Sequence, residues 1–171
     1  IVPVENANAF PRLLEKVLKE DDCETIIVES FTKYVEQVFT LASNSFKGYD
    51  IWAFYNRTIR NMLDSIKNDK ATIIFTAVDD IVKIPQVTGG ESSNRRVKVQ
   101  GKVHEGAVEK EFLMVLFTEV RKNEKTDKME YFFQTNTDGV TSAKTPMGMF
   151  DKQLIPNDIV EVLSTVEEYY K

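Results

Sequence analysis

The 171 residues carry 22 Lys and Arg against 27 Asp and Glu, a net charge of −5, which argues against a protein whose main task is gripping nucleic acid. Apolar residues make up 42% and charged residues 29%, with 7 Gly and 5 Pro, so one globular domain with a real core is expected and collagen-like or low-complexity classes are excluded. The single Cys23 and single His104 rule out an internal disulfide, a Cys-based metal cluster and a His-rich metal site, and the longest unbroken apolar run, Phe112–Phe117, is too short for a transmembrane helix.

Apolar residues at 10, 13, 14, 17 and 18 predict a first helix over 5–20. The acidic break Asp21-Asp22 follows and caps a second helix over 23–34, with Ile26, Ile27, Phe31 and Tyr34 on its apolar side. The β-branched run Thr25–Val28 is the rival strand there, and the interleaving of Glu24, Glu29 and Lys33 favours the helix. Val35–Ala42 alternates and reads as a short strand. Tyr49 to about Ile66 is a long amphipathic helix, stopped by Asn68-Asp69.

The period then changes to two. Ala71–Ile84 reads as a long strand, closed by Pro85 and the loop Thr88–Ser93. Arg95–His104 and Glu109–Val120 read as two strands joined by a turn at Glu105-Gly106-Ala107. Met129–Thr135 is a further strand, and Asn157 or Asp158 caps a last helix. Helices first and an antiparallel meander second make an α+β chain. The expected organisation is one domain over 1–171, with a core at 8–137 and a C-terminal extension at 138–171. The start at Ile1 rather than Met is expected of a fragment, a processed form or an ordered subset.

Pairing His104 with Glu109 sets Lys102 against Glu111, an opposite-charge pair that favours this register. It collects Arg96, Lys98, Gln100, Leu113, Val115, Phe117, Phe132 and Gln134 on one face. An apolar centre inside a polar rim has the make-up of a protein interface. Cover by a helix of the same chain is the alternative.

The order of these features resembles the nuclear transport factor 2-like superfamily. Its carriers here are the first helix and Asp21-Asp22, Cys23–Phe31, Tyr34–Leu41, Phe46-Lys-Gly48, Val82–Pro85, Val97–Val103, Phe112–Phe117 and Tyr131–Asn136. Within it, the segment around Ile59–Met62 and the loop Ile84–Gly90 look most like the nuclear mRNA export receptors and their small heterodimer partners. The resemblance implies a cone-shaped bent antiparallel sheet wrapped by N-terminal helices, here with an extra C-terminal helix. It implies a non-catalytic module that dimerises through its sheet face, with a heterodimer favoured over a homodimer and nucleoporin repeats as further partners. It implies a place in the nucleus and nuclear envelope, shuttling to the cytoplasm.

The alternative function is a small-molecule-binding protein or isomerase-like enzyme using the cone cavity, since enzymes of that superfamily place an Asp, Tyr or His inside it as acid or base. His104 reads as a surface residue, and Asp79 and Asp80, adjacent on a strand, point to opposite faces. Tyr49, Tyr55 and Tyr131 stand at core spacing, and Cys23 reads as a buried or helix-start thiol without a neighbouring His. Thr88-Gly-Gly90 lacks the Lys-Ser/Thr of a phosphate loop. Asn56-Arg-Thr58 matches a glycosylation acceptor but falls inside a helix. No catalytic residue, cofactor or metal is assigned, and neither direct RNA contact nor membrane contact is expected.

Overall fold

The computed structural model describes residues 4, 6–20, 23–67, 71–85, 87, 89–104 and 106–171. The acidic break at Asp21-Asp22, the stop at Asn68-Asp69, and Thr88 and Glu105 of two predicted loops lie outside the described residues. The described chain is α+β, with four helices and three small separate sheets. It divides into two compact units, residues 1–80 with 97–108 and residues 81–96 with 109–171.

The first unit holds helix α1 (Phe10–Glu20), strand β1 (Thr25–Val28), helices α2 (Phe31–Ser45) and α3 (Tyr49–Ser65), and strand β2 (Thr72–Phe75). β1 and β2 run parallel, with Thr25 opposite Thr72 and Val28 opposite Phe75. The helix predicted over 23–34 is therefore replaced by a strand. Ile26, Ile27 and Val28 are stiff at χ1 and fit a pleated surface better than a helix.

The predicted strand Val35–Ala42 is likewise replaced, because it lies inside α2. Phe31, Tyr34, Val35, Val38 and Ala42 are buried and recur at the three- and four-residue steps of one helix face. The Ser30 side chain accepts from the Lys33 N–H (3.1 Å) and caps α2. α3 begins after Gly48, whose φ is +58°, and buries Tyr55, Ile59, Met62 and Leu63. Phe10 packs on Tyr34 at 5.1 Å with the rings tilted by 51°, and Phe31 meets Phe75 edge-on at 6.0 Å, so α1, α2 and β2 share one aromatic core.

The predicted long strand Ala71–Ile84 is broken into β2 and β3 (Asp79–Pro85). At the break the backbone serves the start of α2. Thr76 C=O accepts from Phe31 N–H (2.8 Å), and the Val78 N–H donates to Thr32 Oγ1 (2.9 Å).

The predicted strand Arg95–His104 is also corrected. Strand β4 spans Glu91–Val97, and Lys102–His104 forms a single 3-10 turn. Gly101 has φ +76°, which a strand does not contain. The Gln100 N–H bonds to Tyr55 Oη on α3 (3.1 Å) rather than to a neighbouring strand.

β3 pairs with β4, both of them mostly in the second unit, and within that unit β5 (Phe117–Lys122), β6 (Met129–Gln134) and β7 (Leu154–Pro156) form an antiparallel sheet in that order. Glu109–Glu111, predicted as strand, is another 3-10 turn. Helix α4 (Ile159–Tyr169) closes the chain, and the Asp158 side chain caps it by accepting from the Val160 and Glu161 N–H groups. Among the described residues the strands do not join into the single bent sheet that a cone requires.

Candidate functional site

With His104 and Glu109 each in a 3-10 turn, the register that assembled the predicted interface is not formed. Arg96 lies in β4, while Lys98 and Gln100 follow it in the first unit. Leu113 is an exposed loop residue, and Val115 exchanges both backbone bonds with Lys144. Only Phe117, Phe132 and Gln134 come together. Phe117 is opposite Gln134 on the β5–β6 ladder, and Phe132 is on the same face. Phe117 and Gln134 are buried, so that face is turned to the interior of its unit.

The residues weighed for chemistry are also rearranged. His104 is 6% exposed rather than at the surface. Its Nε2 bonds Asn56 Oδ1 (3.0 Å) and its ring lies edge-on to Tyr55 at 5.6 Å. Burial, then the neighbouring Arg60 charge, lowers its pKa from the ordinary 6.5. Cys23 is an exposed thiol directed at Thr25 C=O. Tyr49 and Tyr131 are exposed, leaving Tyr55 alone of the three tyrosines in the core.

His104 is the only histidine, which gives a clean test of this burial. The unfolded chain takes up its proton near 6.5, the folded chain only at lower pH. The contribution is therefore complete above that value and lost as the pH falls below it. The urea midpoint is expected to drop between about pH 7.5 and about pH 5.5, and His104→Gln is expected to shrink that drop. An unchanged drop in the variant would assign it to other groups.

The parallel pair β1–β2 offers a different place for chemistry. Ligands of open parallel sheets bind outside the carboxyl ends of the strands. β1 is an apolar strand whose next residue, at that end, is the exposed Glu29. The backbone on either side of Glu29 is pinned. Val28 C=O accepts from the Thr76 N–H (3.1 Å), and the Phe31 N–H donates to Thr76 C=O (2.8 Å). Ser30 is committed to capping α2 and the buried Thr32 to Val78. The backbone that carries Glu29 is thus fixed at the rim, with the side chain exposed.

Sequence reasoning missed Glu29 because it served there as evidence for helical interleaving. The signal that finds it is the β-branched run Ile26-Ile27-Val28 ending in an acid. Among the described residues no group of three or more His, Cys, Asp or Glu is placed to hold a metal ion. The 171 residues contain no G-x-x-x-x-G-K-[ST] phosphate loop.

No curated protein and no solved structure matches the chain. The sequence model of a protein family described as an AAA domain matches residues 4–147. This overturns the resemblance to the nuclear transport factor 2-like superfamily, which rested on the order of motifs that are individually unspecific. The non-catalytic interaction module and its place in mRNA export at the nuclear pore fall with it, as does the expectation that the chain is not an enzyme, since AAA domains generally point to ATPase activity. The match runs from α1 through both parallel strands and well past β6, far more than half of the chain, and on that ground the chain belongs to the AAA-domain family.

Proposed function

We propose that this chain serves in nucleotide binding and ATP hydrolysis, with Glu29 as the carboxylate on the metal side of the nucleotide. Membership of the AAA-domain family supports the reaction class. The observation that carries the residue assignment is the position of Glu29 at the carboxyl end of an apolar, half-buried parallel strand, the place from which an acidic side chain helps hold Mg²⁺ in P-loop NTPases.

The donor set fits that ion. Mg²⁺ keeps several waters and takes one or two carboxylates together with phosphate oxygens, and one exposed carboxylate at a strand end meets that need. When bound, the ion neutralises charge on the phosphates. The chain's own part is positioning. The Thr76 bonds to Val28 and Phe31 fix the direction of the backbone on which Glu29 stands. A carboxylate and phosphate oxygens repel, so Glu29 acts through the cation and not on the phosphates.

The test is nucleotide binding to the intact protein, titrated calorimetrically with and without Mg²⁺. Glu29→Gln keeps the shape and removes the charge. It is expected to weaken Mg²⁺-dependent nucleotide affinity about tenfold or more, while affinity measured in EDTA stays put. Equal loss in both conditions, or no loss in either, overturns the assignment of Glu29.

A further inference from the structure

Edge strand β5 carries a pattern that nucleotide chemistry does not use. Tyr131 C=O accepts from the Asn157 N–H (3.1 Å), so the backbone of Tyr131 turns toward the β7 side. Its neighbours Glu130, Phe132 and Gln134 therefore turn toward β5, where their partners are Arg121, Glu119 and Phe117. The Asn123 N–H bond to Lys128 C=O (2.8 Å) has the same parity. Thr118, Val120 and Lys122 are left with their N–H and C=O groups on the outer edge, and among the described residues no strand pairs there. All three residues are exposed. A row of outward-facing peptide groups is a template for another strand.

The side chains select which strand. Along Glu119-Val120-Arg121 the charge sequence is its own complement when reversed. Within one chain Arg121 Nε already bonds Glu119 Oε1 (2.9 Å), and an antiparallel copy related by a two-fold axis at Val120 lays a second such pair alongside in reverse, with Glu119 against Arg121 twice, Val120 against Val120, and Thr118 against Lys122. Val120 is an outward-facing residue, so the central pair is a hydrogen-bonded one. Moving the axis to Glu119 or Arg121 sets like charges opposite each other, which is destabilising. One register is thus favoured and its neighbours are penalised. Val120 is 49% exposed and its cross-strand partner Tyr131 61%, so the same pairing joins two exposed apolar rows into one.

We propose that the outer edge of β5 pairs two copies of this chain, antiparallel about Val120, through backbone bonds at 118, 120 and 122 and two Glu119–Arg121 contacts. The contact is isologous, as a two-fold dimer requires. It uses the edge of the sheet and not the face whose residues Phe117 and Gln134 are buried.

Sedimentation velocity over a concentration series tests it. The wild-type chain is expected to pass from monomer to dimer. E119R and R121E each set like charges opposite each other and are expected to stay monomeric, with unchanged circular dichroism as the folding control. Their equimolar mixture restores opposite charges in both contacts and is expected to dimerise. Val120→Pro removes an outward N–H and stiffens the edge backbone, and with circular dichroism as the same folding control it is expected to weaken the dimer at least tenfold. A wild-type monomer throughout the series overturns the proposal. So does a dimer that survives in both single variants, or a mixture that associates no better than either variant alone.

Discussion

Tyr55→Ala is expected to destabilise the protein by roughly 3–5 kcal/mol, the range for removing a large buried aromatic. Tyr55 is 0% exposed. Its ring meets Phe39 edge-on at 5.8 Å, Trp52 at 6.3 Å and His104 at 5.6 Å, and its hydroxyl accepts from the Gln100 N–H. Burial pushes the phenol up to about 12, against a smaller opposing effect of that hydrogen bond, so the hydroxyl stays protonated throughout the ordinary pH range. Tyr55→Phe separates the two contributions. It keeps the ring and strands the part-buried Gln100 N–H, so about 1–3 kcal/mol is expected from it. Chemical denaturation of the three proteins at neutral pH checks both values. A Tyr55→Ala cost below that of Tyr55→Phe would mean that the ring contacts contribute nothing.

The bond from Tyr55 to Gln100 also explains what could not be read from the sequence. Val97, Val99 and Val103 alternate with Lys98, Gln100 and Lys102, and alternation is the local mark of a strand. The strand is cancelled by a partner 45 residues away and by the turn at Gly101. No window along the sequence contains both. β1 failed for another reason. Four residues are too few to separate a period of two from one of 3.6, and Glu29 satisfied either. α3, with 17 residues, and α4, with Asp158 as its cap, were legible because long stripes and capping residues are local signals. α2 was cut in two, since its stripe from Phe31 to Ala42 crosses the point where the strand was drawn.

The candidate site was hidden by the same ambiguity. Read as a helix, Thr25–Val28 leaves Glu29 on a solvated face with nothing to do. Read as a parallel strand, the same residues place that carboxylate at the one end of the sheet where ligands bind. The strand and the proposed site therefore stand on the same four residues, Thr25–Val28. Composition pointed away from the function proposed here. One His and one Cys do empty the inventory for nucleophilic and metal-cluster chemistry, but phosphoryl transfer needs neither. It depends on positioning and on neutralisation of phosphate charge by cations, to which a carboxylate contributes by holding the metal ion.

Gly101→Ala is expected to cost roughly 2–5 kcal/mol, from two effects that can be measured apart. The first is backbone strain. Gly101 sits at φ +76°, where a residue with a Cβ loses about 1–2 kcal/mol. The second is space. A Cβ there would stand 2.6 Å from Trp52 Cζ3 and 3.3 Å from Trp52 Cε3, and overpacking of this kind costs about 1–3 kcal/mol. The Trp52 ring is 37% exposed, and moving it aside would cost its packing on Phe39 at 5.2 Å and on Tyr55. Gly148 supplies the control, with φ +77° and nothing within 4 Å of an added Cβ. Gly148→Ala should show the backbone cost alone. The difference between the two alanine variants should also shrink when Trp52→Leu is added to Gly101→Ala, since the shorter side chain vacates the contested volume. A double-mutant cycle reads that coupling directly. Equal costs at Gly101 and Gly148, with no coupling to Trp52, would show that the loop moves off the indole and that the Gly101–Trp52 contact does not hold residues 97–104 against α3.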